Sequence, residues 1–207
     1  MTQNKRIVIV GASSSIAEHC ARLWSQQYAV DYVLLGRDQQ KLNTIAADLK
    51  VRNPATSCAL LTPDFLSPEA ISTQVAQIVA EGVPDIVLIA HGSLPEQAAC
   101  EQNLALAAQA IELNALSPVL FAEAFAGPMQ KANRGTIALI GSVAGDRGRK
   151  SNYVYGAAKG LVTRYAQGLQ HRLAGTGVRV VLVKPGPTDT PMTAHLKQDG
   201  ASLASVK

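Results

Sequence analysis

The chain has 207 residues, 47% of them hydrophobic and 16% charged, with 16 Gly and 10 Pro. That balance excludes a disordered or fibrous chain, and the length suits a single domain around one core, here taken as 1–207. Basic residues number 19 against 15 acidic ones, a net charge of +4, but the cations are scattered and only 4% of residues are aromatic, so nucleic acid is not an expected partner.

In chain order, short runs rich in Val, Ile and Leu recur at 7–10, 32–35, 58–61, 86–90, 136–140 and 178–183. Their continuous hydrophobicity predicts strands of a parallel sheet covered on both faces. Between them lie stretches with helical spacing: Ile16-Ala17-Cys20-Leu23-Trp24, Leu42-Ile45-Ala46-Leu49, Ile71-Val75-Ile78-Val79, and the pair 104–113 and 119–125. Ser117-Pro118 separates that pair, and Pro118 suits the first turn of a new helix. Strand and helix in alternation predict an α/β fold of the doubly wound Rossmann type, a parallel sheet of six strands, or seven, with helices on both faces. The segment 188–207 is polar and small and is expected to be a mobile substrate loop and tail.

No aliphatic run approaches the roughly 20 residues that span a bilayer, and no cleavage site follows the first strand. A cytoplasmic protein without an integral membrane segment is expected. Cys20, Cys58 and Cys100 are too dispersed for a disulfide framework or a zinc site, so they read as small buried side chains and no metal is expected.

The first strand runs directly into Gly11-Ala12-Ser13-Ser14-Ser15-Ile16-Ala17, which opens the first helix. Such a turn aims backbone N–H groups and the positive helix end at a ligand and favours the pyrophosphate of a dinucleotide. The alternative is a serine-rich helix cap with no ligand. After the second strand comes Gly36-Arg37-Asp38, where a dinucleotide-binding fold meets the adenosine ribose. Arg37 can pair with a 2′-phosphate, which favours NADP(H) over NAD(H); otherwise it is a solvated residue at a helix start.

Tyr155 and Lys159 stand at i and i+4 on a helix beginning near Asn152, so the ammonium can sit beside the phenol and stabilise phenolate. Ser142 ends the fifth strand, at the carboxyl edge of the sheet where open α/β folds bind ligands.

These elements together resemble the short-chain dehydrogenase/reductase family over essentially the whole chain. The likeness is carried by the serine-rich loop, Asp64, Ala90-His91-Gly92, Asn114, Gly141-Ser142-Val143-Ala144-Gly145, Tyr155-Gly156-Ala157-Ala158-Lys159 and Pro185-Gly186-Pro187-Thr188-Asp189-Thr190, all in the family's order. It implies hydride transfer between NADP(H) and a carbonyl or secondary alcohol, with Tyr155 as acid or base. Ser142 would bind the substrate oxygen, Lys159 would lower the phenol pKa and hold the nicotinamide ribose, and Asn114 would complete a proton relay. The cofactor would be held by Gly11, Ser13, Ser14, Ser15, Ile16, Arg37, Asp64, Ala90 and Gly92 on one side and by Tyr155, Lys159, Pro185, Gly186, Thr188 and Thr190 on the other. A catalytically weak NADP(H)-binding regulatory protein, or an isomerase or dehydratase with retained cofactor, would share many of these residues.

The chain departs from the family's pattern at Ser15 and Ala17, where glycines are usual, and at His91, where Ala is common. His91 is either a structural donor or a cofactor contact. Tyr153 points away from the Tyr155 face and would shape the substrate pocket. Arg147, Arg149 and Lys150, with Met192-Thr193-Ala194-His195-Leu196-Lys197, are similar to the branch holding the decaprenylphosphoryl-ribose keto-reductases, which implies a keto-sugar phosphate. The competing reading of the three cations is a solvated turn. Apolar and small residues on more than one face of the helices at 104–113 and 155–173 imply a homodimer or homotetramer. Relatives continue past the sixth strand to a seventh, so the sixth is expected either to be a sheet edge here or to be followed by more chain in the full gene product.

Overall fold

The structure is a computed structural model and describes residues 4–194 and 202–205. Its strands are β1 (Lys5–Val10), β2 (Val30–Leu35), β3 (Ser57–Leu61), β4 (Ile86–Ile89), β5 (Gly135–Ile140) and β6 (Val178–Val183). They form one six-stranded sheet in the order β3-β2-β1-β4-β5-β6, parallel at every pairing. The order reverses between β1 and β4, which opens a crevice at the carboxyl ends of the strands. Register makes that crevice usable: Val10 pairs with Leu35 on one side and Ile89 on the other, so three strands end at one level.

The helices are α1 (Ser15–Gln27), α2 (Gln39–Arg52), α3 (Pro68–Glu81), α4 (Gln97–Gln102), α5 (Leu104–Ile111), α6 (Ser117–Ala132) and α7 (Tyr153–Leu173). Alternate residues of each strand feed two cores. Val8 and Val10 join Ile71, Val75, Phe121, Phe125, Met129, Val162 and Leu169 under α3, α6 and α7. Ile7 and Ile9 join Ala17, Ala21, Leu42, Ile45 and Leu49 under α1 and α2.

Burial on both faces holds for the central strands but not at the sheet's margins. On β6, Val178 faces the first core while Val181 and Val183 are 41% and 42% exposed on the other face. β6 is one edge of the sheet among the described residues, and β3 is the other. Cys100 is buried, whereas Cys20 and Cys58 are only half-buried, and all three are free thiols.

A second departure concerns Pro118. The sequence suggests a break before it, yet α5 continues into α6 through a π-helical turn at Glu112–Leu116. Pro118 has no N–H for the carbonyl four residues earlier, and the turn absorbs the mismatch by widening: the Ser117 N–H reaches back to the Glu112 carbonyl. The resulting helical stretch Leu104–Ala132 is long and apolar enough, by length and composition, to cross a membrane. Phe121, Ala122, Phe125, Ala126 and Met129 are fully buried in this domain, while Leu104, Ile111 and Leu116 of the same stretch stay exposed.

Candidate active site

The loops after β1, β2, β4, β5 and β6 converge on one cleft. Gly11 opens it with φ of 87°, in the left-handed region, and a Cβ there would lie 2.5 Å from the His91 backbone nitrogen. Ser13, Ser14, Ser15 and Ile16 follow along the cleft wall. Ser14 is the N-cap of α1 but its side chain accepts no capping bond, so the helix presents an uncapped, positively polarised end to the cleft. Gly36 and Arg37 form the wall beyond β2, and Arg37 is exposed.

At the other end stand Ser142, Tyr155, Lys159 and Asn114. Lys159 is 3% exposed and its ammonium donates to the Ile140 carbonyl at 2.9 Å. Burial lowers its pKa to about 8. The Nζ lies 5.8 Å from the centre of the Tyr155 ring. Burial also raises the Tyr155 phenol above its ordinary value, and hydrogen bonding with Ser142 only partly opposes this. The Ser142 hydroxyl oxygen accepts from the Ala144 N–H at 3.1 Å, which fixes it at the start of a short 3-10 turn.

Asn114 sits in the π turn and is completely buried. Its amide donates to the Ala110 carbonyl at 2.8 Å, and its side-chain oxygen accepts from the Ser93 N–H at 2.9 Å. Ala90 and Gly92 continue the wall from β4, and Pro185, Gly186, Thr188 and Thr190 close it from β6. That last segment is braced by a parallel bridge between Thr188 and Ala204, with the Asp189 N–H donating to the Ala204 carbonyl at 2.7 Å.

Five residues anticipated at the site, Asp64, Tyr153, Arg147, Arg149 and Lys150, stand outside the cleft lining. Asp64 is exposed, and its carboxylate turns back on its own loop to accept from the Leu66 N–H at 2.8 Å. Tyr153 is 45% exposed, two positions and about 200° of helix away from Tyr155. Arg147 is exposed and Arg149 half-buried, both on the turn before α7. His195, Leu196 and Lys197 lie outside the described residues.

The cleft also uses two residues not anticipated there, Phe65 and Leu113, together with Met192 and Thr193 from the expected substrate loop. Each neighbours a residue or motif already singled out, which was the available signal. His91 is part of the wall as well. Its Nε2 is 2.8 Å from the Ser117 Oγ, and its ring meets Phe65 and Phe121 edge-on, with centroids 5.1 and 5.7 Å away. Its Nδ1 is buried without a partner, and burial, reinforced by the Lys159 charge, depresses its pKa to about 3.

The uncapped end of α1, the open space beside Gly186 and the buried ammonium fit a nicotinamide dinucleotide lying along the cleft. Comparison with known proteins agrees. The short chain dehydrogenase family matches residues 5–201, and the chain belongs to that family. An uncharacterized oxidoreductase of Staphylococcus epidermidis is 33% identical over 192 residues, covering 92% of this chain and 81% of that protein. Another, from Mycobacterium tuberculosis, is 34% identical over 183 residues, covering 87% of this chain and 72% of that one. Among solved structures, a short-chain dehydrogenase from Sphingobium yanoikuyae in complex with NADPH superposes with a TM-score of 0.88 at 25% identity, covering 98% of this chain and 79% of that one. The protein is an NAD(P)-dependent oxidoreductase with a Rossmann-type fold.

Proposed function

We propose that the enzyme transfers a hydride between NADP(H) and a carbonyl or secondary alcohol of a small molecule, with reduction the favoured direction. The observation that carries this reading is the meeting of Ser142, Tyr155, Lys159 and Asn114 in one cleft whose far end holds Arg37. The dinucleotide, when bound, supplies or accepts the hydride. Everything else is the work of this chain's side chains.

Tyr155 gives its phenolic proton to the substrate oxygen while Ser142 donates a hydrogen bond to the same atom. A phenol held above its ordinary pKa keeps its proton at neutral pH, the form a reduction needs. Lys159 holds the nicotinamide ribose and returns the proton to the phenol. The Asn114 carboxamide is already committed to Ala110 and Ser93, so its part in the relay falls to its backbone carbonyl, which Pro118 leaves without a donor four residues on. At the other end, Arg37 pairs with the 2′-phosphate, which favours NADP(H) over NAD(H).

Leu113, Pro191 and Met192 give the substrate side of the cleft an apolar wall. A neutral carbonyl compound suits it better than a keto-sugar phosphate, whose proposed contacts Arg147, Arg149 and Lys150 are not in the lining. The chain works as one domain in the cytoplasm. It pairs as a homodimer or homotetramer through α5, the π turn and α7, which leave Leu104, Ile111, Leu116 and Leu161 substantially exposed. The test is oxidation of NADPH and NADH across neutral ketones and phosphorylated keto-sugars. Turnover with NADPH and a neutral ketone is expected; no net consumption of either dinucleotide with any carbonyl would overturn the reading.

A further inference from the structure

We propose that Gln97 is a positioning residue for Tyr155, capping the catalytic helix α7 from outside it; this rests on Tyr155 being the proton donor. The first N–H groups of α7 have no acceptor within the helix. Asn152 occupies the N-cap and is the residue type that ordinarily supplies one. Its side chain makes no capping bond, and its Oδ1 is buried without a partner. The backbone explains why: ψ at Asn152 is 37°, away from the extended conformation that aims a cap side chain at the helix start.

The missing acceptor comes from elsewhere in the chain. The side-chain oxygen of Gln97, 57 positions earlier at the start of α4, accepts from the Val154 N–H at 3.1 Å. Val154 immediately precedes Tyr155 in the first turn. Gln97 is only 8% exposed, and its amide nitrogen is buried with no partner. A buried amide with one end unpaired is unfavourable, and an apolar residue of the same size would fill the space with less penalty. The feature that an apolar residue could not supply is the oxygen on Val154.

The opposite side of the same turn is also held. A Cβ on Gly156 would lie 2.8 Å from the Ala144 carbonyl oxygen, so α7 presses directly on the 3-10 turn that begins at Ser142. Tyr155 lies between the two contacts. Its phenol is held toward Ser142 because the turn behind it is backed by Ala144 and the turn in front is tied to Gln97. Releasing the Gln97 bond loosens the phenol without touching the dinucleotide, since Gln97 is not in the cleft lining. Small displacements of that kind lower kcat much more than they weaken binding.

The experiment uses the full chain with Gln97→Met and Gln97→Glu, followed by steady-state kinetics and hydrogen exchange at the start of α7. In Gln97→Met the Val154 amide should exchange at least about tenfold faster. Its kcat should fall about tenfold while KM for NADPH stays within about twofold. Gln97→Glu keeps the acceptor at a positively polarised helix end and should restore both the protection and most of the kcat. Wild-type kcat and exchange in Gln97→Met, or a Gln97→Glu variant as impaired as Gln97→Met, would overturn the proposal. Should Gln97→Met fail to fold, the unmodified protein still decides, because a Val154 amide exchanging at the rate of an open amide contradicts the cap. A Tyr155→Phe enzyme that still turned over would instead defeat the reading of Tyr155 and leave the exchange result standing.

Discussion

Gly92 and Asn114 are fitted to each other: a Cβ added at Gly92 would lie 2.7 Å from the Asn114 side-chain oxygen and 3.8 Å from the Lys159 ammonium. Asn114 cannot swing aside, because its carboxamide is bonded to both Ser93 and Ala110 and is fully buried. Gly92→Ala is therefore expected to strain the Ser93 and Ala110 bonds that hold Asn114 and to narrow the cleft beside Lys159. The predicted cost is about 1–3 kcal/mol of stability and a larger proportional loss of kcat than of cofactor affinity. Denaturant unfolding and steady-state kinetics on the same preparation check both.

His91 gives a prediction about acid stability. Its folded pKa of about 3 lies below the ordinary 6.5, so the unfolded chain binds a proton there that the folded chain does not. The stability associated with a neutral His91 is full above pH about 6.5 and is lost as pH falls toward 3, by up to ~1.4 kcal/mol per pH unit. His91→Phe should remove that dependence. At neutral pH the same variant should cost about 1–3 kcal/mol, because it leaves the buried Ser117 hydroxyl without its partner. Unfolding curves of the two proteins from pH 7 to pH 4 should converge; parallel curves would contradict the assignment.

Arg37 tests the cofactor preference. It is exposed at the ribose end of the cleft, so replacing it should leave the fold intact. In Arg37→Gln, KM for NADPH should rise about tenfold or more while KM for NADH changes little, as expected for loss of a charged pair to a 2′-phosphate. An equal effect on both dinucleotides would place Arg37 outside phosphate recognition.

Lys159 sets activity against stability. A buried ammonium with one carbonyl for a partner is costly to the fold, as its depressed pKa of about 8 records. Lys159→Met should abolish turnover and yet raise stability at pH 7 by about 1–3 kcal/mol. The sign follows from proton binding: between pH about 8 and about 10.4 the unfolded chain holds a proton that the folded chain has lost, so the wild-type protein gains stability as pH rises through that range. The advantage of Lys159→Met should therefore shrink above pH 8, which thermal unfolding at several pH values measures.

Much of this was legible in the residues. The apolar runs at 7–10 and 178–183 anticipate β1 and β6 because they are short, β-branched and bounded by glycine. Tyr155, Lys159 and Ser142 were legible because their spacing repeats a chemistry. What escaped depends on pairs distant in sequence. The π turn at Glu112–Leu116 hides behind Ser117-Pro118, which locally reads as a break, whereas the Ser117 N–H bond to the Glu112 carbonyl carries the helix through. The exposure of Val181 and Val183 depends on which helices cover that face of the sheet. Asp64 is drawn to its own loop by Leu66, and the bond from Val154 to Gln97 spans 57 positions with no local signature.

The central claim is that Tyr155 delivers the proton in a cleft whose dinucleotide is held by other residues. Single-turnover reduction of a ketone by Tyr155→Phe with bound NADPH, alongside fluorescence titration of NADPH, tests it most directly. The account predicts hydride transfer slowed by at least about a thousandfold with NADPH affinity within about threefold of the unmodified enzyme. Retained turnover with intact binding would contradict it.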